Sequence, residues 1–442
     1  MVRRDRSKSC RKNKLANATP ILMLPVMSAN APRQPATIFI FITLVIAMLG
    51  IGLIIPVLPG LITQLSGGQV ADGAHIYGWI VGIFALMQFI GSPFLGALSD
   101  RYGRRRVILI ALAGSSIDYI VMALAPTLGW LFVARMIAGL TAGVLATANA
   151  YIADVTPPEK RAQAFGMLGA AFGLGFIIGP AIGGLLGSYS LRLPFWVAAC
   201  FAGLNWLYGF FILPESLAPE NRRPFSWSRA NPIGSLLALR RFPVVLGLSE
   251  CYFILSIAQT MLQSVWVLYM GARYGWSTAQ VGGSLAVVGV TSIVVQVGLV
   301  KHLVARLGET QSVIVGLAIS IGAQICYGLA TQSWMIYAII VVGSLAGMGG
   351  PALQSYITRH VPANEQGAVQ GALSGLASIA GIIGPPLAAW SFGWGIAPGG
   401  RFHLPGIPFF ESAVLIAIAL VLAMRSFRRD ATVAAASKPA AA

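Results

Sequence analysis

The chain has 442 residues, of which 57% are hydrophobic and 10% charged, and its mean hydropathy is +0.78. Soluble domains carry about 25% charged residues, so these proportions exclude an ordinary soluble protein and indicate one built for lipid. A net charge of +17 would suggest nucleic acid in a soluble domain, but here the charges have first to be placed relative to a membrane. Cys10, Cys200, Cys251 and Cys326 form no close pair and no metal-ligand spacing, which supports neither a disulfide framework nor a zinc or haem site.

Residues 1–35 are basic, and the run ILMLPVM followed by Ser28-Ala29-Asn30-Ala31 loosely resembles a signal peptide. Pro25 interrupts that run and the first span carries its own topology signal, so the expectation is a disordered, basic cytoplasmic tail, or a translation start at Met23 or Met27. A spanning helix needs about 20 mostly apolar residues. Twelve such stretches follow, the first six near 36–58, 76–98, 107–125, 128–150, 162–187 and 194–213. The second six lie near 243–270, 278–300, 310–330, 334–357, 365–390 and 406–424. The expected organisation is an all-α polytopic membrane protein with an N-terminal six-helix half over 36–213 and a C-terminal half over 242–425. Residues 214–241, rich in Pro, Asn and Arg, read as a cytoplasmic linker, and 426–442 as a second cytoplasmic tail.

Lys and Arg flanking membrane spans are strongly biased to the cytoplasmic side. With both termini inside, 26 of the 30 cations fall on that side. Arg192, Arg273 and Arg401 lie opposite, and Arg135 falls inside span four. The excess charge therefore reads as topology in a multi-pass inner (plasma) membrane protein, with no nucleic-acid partner.

An offset of 205 residues aligns the two halves. Arg101 and Gly103 fall on Arg306 and Gly308, and Tyr151-Ile152 falls on Tyr356-Ile357, with Asn149 and Gln354 two residues earlier. Gly166 and Ile177-Ile178-Gly179-Pro180 fall on Gly371 and Ile382-Ile383-Gly384-Pro385. Duplicated halves of this kind pack about an axis along the membrane normal with a substrate site between them.

The loop between spans two and three reads Gly96-Ala-Leu-Ser-Asp100-Arg101-Tyr-Gly103-Arg104-Arg105-Arg106. Gly96 lets helix ends approach, Asp100 can pair with a base or sit on a helix N-terminus, and Gly103 can turn left-handed. A plain positive-inside anchor explains the arginines but not Asp100, so a charge clasp that locks one conformation is expected. At the corresponding acid position the second half has Ala305, which predicts a degraded clasp there. This loop resembles the signature of the major facilitator superfamily. Span five carries Gly173-Leu-Gly175-Phe-Ile-Ile-Gly179-Pro180-Ala-Ile-Gly183-Gly184, which resembles the antiporter motif of that superfamily's drug exporters. Glycines at this spacing let helices touch backbone to backbone, and Pro180 bends the span; small-residue packing alone is the alternative.

Further segments narrow the resemblance: Gly50-Ile-Gly52 through Pro59, Ala85-Leu-Met-Gln88, Asp118-Tyr119, Leu213-Pro-Glu215-Ser216, Val265-Trp266-Val-Leu268, Pro351-Ala-Leu-Gln354 and Glu365 to Gly371. From about residue 40 to 390 the chain is similar to tetracycline-efflux drug:proton antiporters. The resemblance implies twelve spans, the major-facilitator fold and export of a tetracycline-class drug, in that family as a divalent-metal chelate, in exchange for a proton. It also places Ala47, Ser292 and Ser320 where that family carries titratable residues in spans one, eight and nine; the span-three acid, Asp118, is retained.

An ionisable group deep in lipid is costly and is by default a functional candidate. Asp118 lies eleven residues into predicted span three, about 16 Å from its start at 1.5 Å per residue, and is the first proton-coupling candidate. Arg135, where exporters of the superfamily often carry a buried arginine, would bias a nearby carboxylate or water chain, with snorkelling as its alternative. Glu250 either substitutes for the lost acids or reaches the cytoplasmic interface. Glu411, near the outer end of span twelve, reads as interfacial. Gln88, Asn149, Gln259, Gln263, Trp266, Gln296, Gln324 and Gln354 are candidates to line a substrate cavity, although any one glutamine could instead bridge two helices. The histidines all fall in or beside loops.

With no P-loop, metal motif or catalytic cluster in the sequence, the chain reads as a transporter that is not an enzyme and uses no cofactor. The expected function is proton-coupled efflux of a drug-like molecule, tetracycline class first, by a monomer working through alternating access. The alternative is a proton-coupled or facilitative transporter of another small metabolite.

Overall fold

The computed structural model describes residues 34–157, 161–225, 239, 243–362, 365–397 and 404–436, and among these the chain is helix and connection with no strand. The N-terminal tail, most of the linker, Arg401, His403 and the last six residues lie outside them. The first span is bent: α1 (Gln34–Ile54) and α2 (Leu58–Leu65) meet at 41°, at a break that holds Pro56, which lacks an N–H to continue the ladder. Spans two and three are α3 (Val70–Tyr102) and α4 (Arg104–Leu124), separated by Gly103 alone. Span four is broken into α5 (Leu128–Thr141) and α6 (Val144–Val155), and spans five and six are α7 (Arg161–Tyr189) and α8 (Leu193–Ile212). The second set opens with α9 (Pro243–Tyr274). Then α10 (Thr278–Ile293), a π-helical turn (Val294–Leu299) and α11 (Val300–Leu329) run on without a gap. Span ten is α12 (Ser333–Gly343), a 3-10 turn and α13 (Gly349–Arg359), followed by α14 (Gln366–Ile396) and α15 (Ile407–Ala436).

By length and apolarity these helices make ten spans, or eleven with the bent first pair. One of the ten, Thr278–Leu329, has 52 residues, about 78 Å at 1.5 Å per residue, against a hydrocarbon core of about 30 Å. It turns at Gly308, whose φ of 76° and ψ of 166° are not helical, so it supplies spans eight and nine and brings the number of crossings to twelve. Span eight starts sharply because Ser277 and Gln280 form a capping box: Gln280 Oε1 accepts from Ser277 N at 2.9 Å, and Ser277 Oγ accepts from Gln280 N at 3.4 Å.

The packing repeats with the sequence. Span one packs on spans five and six, and span three on six; correspondingly span seven packs on eleven and twelve, and span nine on twelve. The two sets meet through spans two and eleven and through spans five and eight. In both seams a glycine faces a proline-bearing helix. An added Cβ on Gly78 would lie 3.0 Å from Pro386 Cα, and one on Gly82 3.1 Å from Pro386 Cγ. Across the other seam, a Cβ on Gly184 would lie 3.0 Å from Gly282 Cα, and the carbonyl of Pro180 abuts Gly282. Spans lack a hydrophobic drive to associate in lipid, so such close backbone contact is what holds them together.

The span-five motif divides between two partners. Gly175, Gly179 and Gly183 face Met48, Gly52 and Leu53 of span one, whereas Gly184 and the Pro180 carbonyl face span eight. A Cβ on Gly179 would stand 2.7 Å from Gly52 Cα; around Gly96 there is open space within 4 Å. The close approach expected of Gly96 is therefore not made in this conformation. Replacing Gly179 by Leu should lower stability by about 1–3 kcal/mol through overpacking, read as an earlier thermal transition in detergent, while Gly96→Ala should leave that transition unchanged or slightly higher.

Candidate functional site

Two charged residues lie in the span interior against each other. Asp118 is the fifteenth residue of α4, about 21 Å from Arg104 along the axis, deeper than the sequence-based helix start suggests. It is 2% exposed. Its Oδ2 accepts from Nη2 of Arg135, a buried residue of α5, and the two form an ion pair. The Arg135 guanidinium also lies 5.4 Å from the centroid of the Phe84 ring on span two, a cation–π contact. Asp118 Oδ1 and Arg135 Nε are buried and have no hydrogen-bond partner among the described residues. Two opposite charges tolerate lipid depth only when paired, so neither residue snorkels, and each holds the other in place.

A cavity of about 510 Å³ lies among spans two, four, seven and eleven. It begins where the seam between spans two and eleven ends, at Ala85 and Gly381, and continues past Gln88 and Ser92 toward the arginine-rich face. Phe89 supplies an aromatic wall; Asn149, Thr260, Ser374 and Ser378 add polar groups. Phe84, which touches Arg135, immediately precedes the first cavity residue on span two. Gly139, one turn beyond Arg135, is pressed against the Phe84 carbonyl and Met87. The ion pair thus adjoins the inner end of the cavity without lining it.

Of the eight residues expected to line a cavity, the structure brings Gln88 and Asn149 to this one. Gln354 lies in a second, shallower pocket near Arg359 and hydrogen-bonds Gln370 at 2.7 Å. Gln259 and Gln263 are exposed on span seven and Gln296 on the π-helical turn, all outside the lining. Trp266 is core: its Nε1 donates to Ser284 Oγ at 3.1 Å and its ring stacks edge-on with Tyr327. Gln324 is buried too. An aromatic or amide in a span is apolar enough to pack inward, and sequence alone does not tell cavity from core. Glu250 is exposed on span seven, seven residues from its start and far from Asp118 in the chain.

At the arginine-rich face the loop between spans two and three is a dense network. Arg104 pairs with Asp100 (2.5 Å), donates to Asp154 at the end of span four (3.2 Å) and to Ser99 Oγ (2.6 Å). Glu215, after span six, accepts from the backbone N–H of Arg104 at 2.7 Å, a carboxylate on the positive end of a helix. Asp100 thus pairs with a base, while the acid on the helix N-terminus is Glu215. Arg101 stays exposed with its guanidinium 5.0 Å over Tyr102. Gly103 has φ of 101°, and a Cβ there would strike the Glu215 carboxylate.

Ala305 leaves the second half without a counterpart of the Asp100–Arg104 pair, as expected, but another part of the network is kept there. Gly308, also at positive φ, occupies the place of Gly103. Glu309 pairs with Arg359 and accepts from Ser355 Oγ at 2.7 Å. Shifting Arg104 and Asp154 by 205 residues gives Glu309 and Arg359, so the same ion pair recurs with its charges exchanged. Tyr356, the counterpart of Tyr151, donates to Asp430 at 2.5 Å, which His360 Nε2 also meets at 2.9 Å; Tyr151 donates to the carbonyl of Pro214 at 3.0 Å. Asp154, Glu215, Glu309 and Arg359 were missed as site residues. The 205-residue offset, applied to charge pairs rather than identities, would have found Glu309 and Arg359. On the opposite face, Arg192 donates to the carbonyls of Ala123 and Ala125 at 2.7 and 2.8 Å, capping the end of span three.

The model of the Major Facilitator Superfamily matches residues 40–385, and again 248–442. The chain belongs to the Major Facilitator Superfamily. The class C tetracycline resistance protein of Escherichia coli is 40% identical over 350 residues, covering 79% of this chain and 88% of that protein. The class G tetracycline resistance protein of Vibrio anguillarum is 36% identical over 395 residues, 86% of this chain and 98% of that one. The crystal structure of the human organic anion transporter MFSD10 superposes with a TM-score of 0.67 at 24% identity, over 89% of this chain and 100% of that chain, which shows the shared fold. As a member of the superfamily the chain is a multi-pass membrane transporter, and the twelve crossings agree with its fold.

Two outcomes test this geometry. Asp118→Asn leaves a buried guanidinium unpaired and should cost about 3–5 kcal/mol in detergent unfolding, whereas the Asp118→Leu/Arg135→Met double variant, with no charge left, should recover most of that. Glu309→Arg alone, which sets a second guanidinium against Arg359 and removes the acceptor of Ser355, should lower the unfolding transition, and the exchange E309R/R359E should restore most of it.

Proposed function

We propose that this transporter exports a drug-like small molecule, tetracycline class first, in exchange for an inward-moving proton, by alternating access. The observation that carries the reading is the buried Asp118–Arg135 pair beside the inner end of the cavity. A carboxylate with one oxygen bonded to arginine and the other without a donor can accept a proton. Protonation breaks the neutrality of the pair and leaves a buried cation, so the surrounding helices gain a reason to rearrange. A proton can drive exchange only if its affinity differs between the two conformations, and a pair whose packing differs between them would supply that difference.

The two six-span sets, 36–213 and 242–425, are the moving halves in this reading. The arginine-rich face, with both termini, lies in the cytoplasm at the inner (plasma) membrane, and the protein acts as a monomer. The seams of spans two with eleven and five with eight then close the outer side, and the cavity lies on the cytoplasmic side of them, as an inward-facing state requires. The loop networks around Arg104 and Glu309 brace each half as it turns, and Gly96, free of contacts here, becomes available to the other half when the cytoplasmic side closes. Glu250, exposed near the cytoplasmic end of span seven, is a secondary proton-carrying candidate. The similarity to tetracycline resistance proteins supports the drug class.

In inverted membrane vesicles holding an acid interior, adding tetracycline should release protons from vesicles bearing the wild-type chain and not from control vesicles. The folded Asp118→Leu/Arg135→Met variant should show no drug-driven proton release; retained coupling in that variant would remove Asp118 from the mechanism.

A further inference from the structure

We propose that the cavity takes its cargo as a metal-free, net-neutral molecule, so that exchange for one proton carries one net positive charge inward per cycle. This deepens the export reading above and rests on it. A divalent ion chelated by a singly deprotonated drug is a cation. Hard divalent ions favour carboxylate oxygens, and moving a charge from water into a site without a counter-charge is costly. The cavity offers two side-chain amides, Gln88 and Asn149, four hydroxyls and the Phe89 ring, and among the described residues its lining holds no charged side chain.

The charged groups of the described span interiors are committed or distant. Asp118, the carboxylate adjoining the inner end, is neutralised by Arg135. Glu250 is exposed outside the lining, and Glu411 lies near the opposite end of span twelve. Among the described residues no group of three or more His, Cys, Asp or Glu side chains could hold a metal ion. Ala47, Ser292 and Ser320 bring no charge either. What remains is a site of about 510 Å³, in the range of drug-binding cavities of about 300–1,000 Å³. Its neutral donors and acceptors suit the ketone, amide and hydroxyl edges of an uncharged or zwitterionic drug.

The test uses the full chain in proteoliposomes with tetracycline as the probe, in EDTA and in saturating Mg²⁺, with potassium diffusion potentials set by valinomycin. Uptake should be unchanged by EDTA, should fall about tenfold in Mg²⁺, equivalent to about 1.4 kcal/mol of discrimination, and should follow the imposed potential. Chelate exchange for one proton moves no net charge and would ignore it. Gln88→Glu, which puts a carboxylate into the lining, should restore uptake in Mg²⁺; continued exclusion of the chelate by that variant would show that charge is not what the cavity reads. Uptake that requires the metal and ignores the potential overturns this inference and leaves export standing. Absence of drug-driven proton movement with and without metal overturns export and this inference together.

Discussion

Backbone-to-backbone contact at glycine is the interaction on which the rest of this structure depends. In lipid, apolar side chains gain nothing by leaving the solvent, and helices adhere only where they pack closely. Span five is the clearest case: Gly175, Gly179 and Gly183 seat it on span one, and one residue further round Gly184 seats it on span eight. The same helix therefore binds within its own half and across to the other. Span eleven does likewise, with Gly384 against Ile257 and Thr260 of span seven and Pro386 against Gly78 and Gly82 of span two. Along spans two and eleven the contact between the halves ends at Ala85 and Gly381, and the cavity opens beyond it.

Charge is rationed by the same medium. The one buried acid–base pair in the described span interiors adjoins the end of that cavity. Of the remaining charges a few, among them Arg192, Arg273 and Glu411, lie toward the opposite face, and most gather at the arginine-rich face. There the two halves solve one problem with opposite signs: Arg104 with Asp154, Glu309 with Arg359. An ion pair depends on complementarity and not on which partner carries the plus, so the same contact stands in both halves with its residues exchanged.

That exchange shows where sequence reading succeeds and where it stops. Aligning identities at a 205-residue offset finds Gly103 with Gly308, because a left-handed turn favours glycine, and Tyr151 with Tyr356, whose hydroxyls both donate at the arginine-rich face though to different partners. It misses Glu309 and Arg359, since neither matches its counterpart. The cavity was legible at Gln88 and Asn149 and illegible at Trp266 and Gln324. Amphipathic side chains satisfy either role, and the sense of rotation of a span that is apolar on all faces leaves no pattern to choose between them.

Hydropathy, cation placement and internal repetition by themselves determined that this is a twelve-span, two-fold repeated membrane protein with Asp118 as its principal buried acid, because lipid imposes length and apolarity on every crossing helix, and the motifs added the resemblance to a transporter family. Which residues face one another was decided only by the tertiary structure. The pairing of Asp118 with Arg135, the double duty of the span-five glycines and the uncharged lining of the cavity all depend on how helices of nearly uniform composition turn toward their neighbours, and that is fixed by packing among residues far apart in the chain.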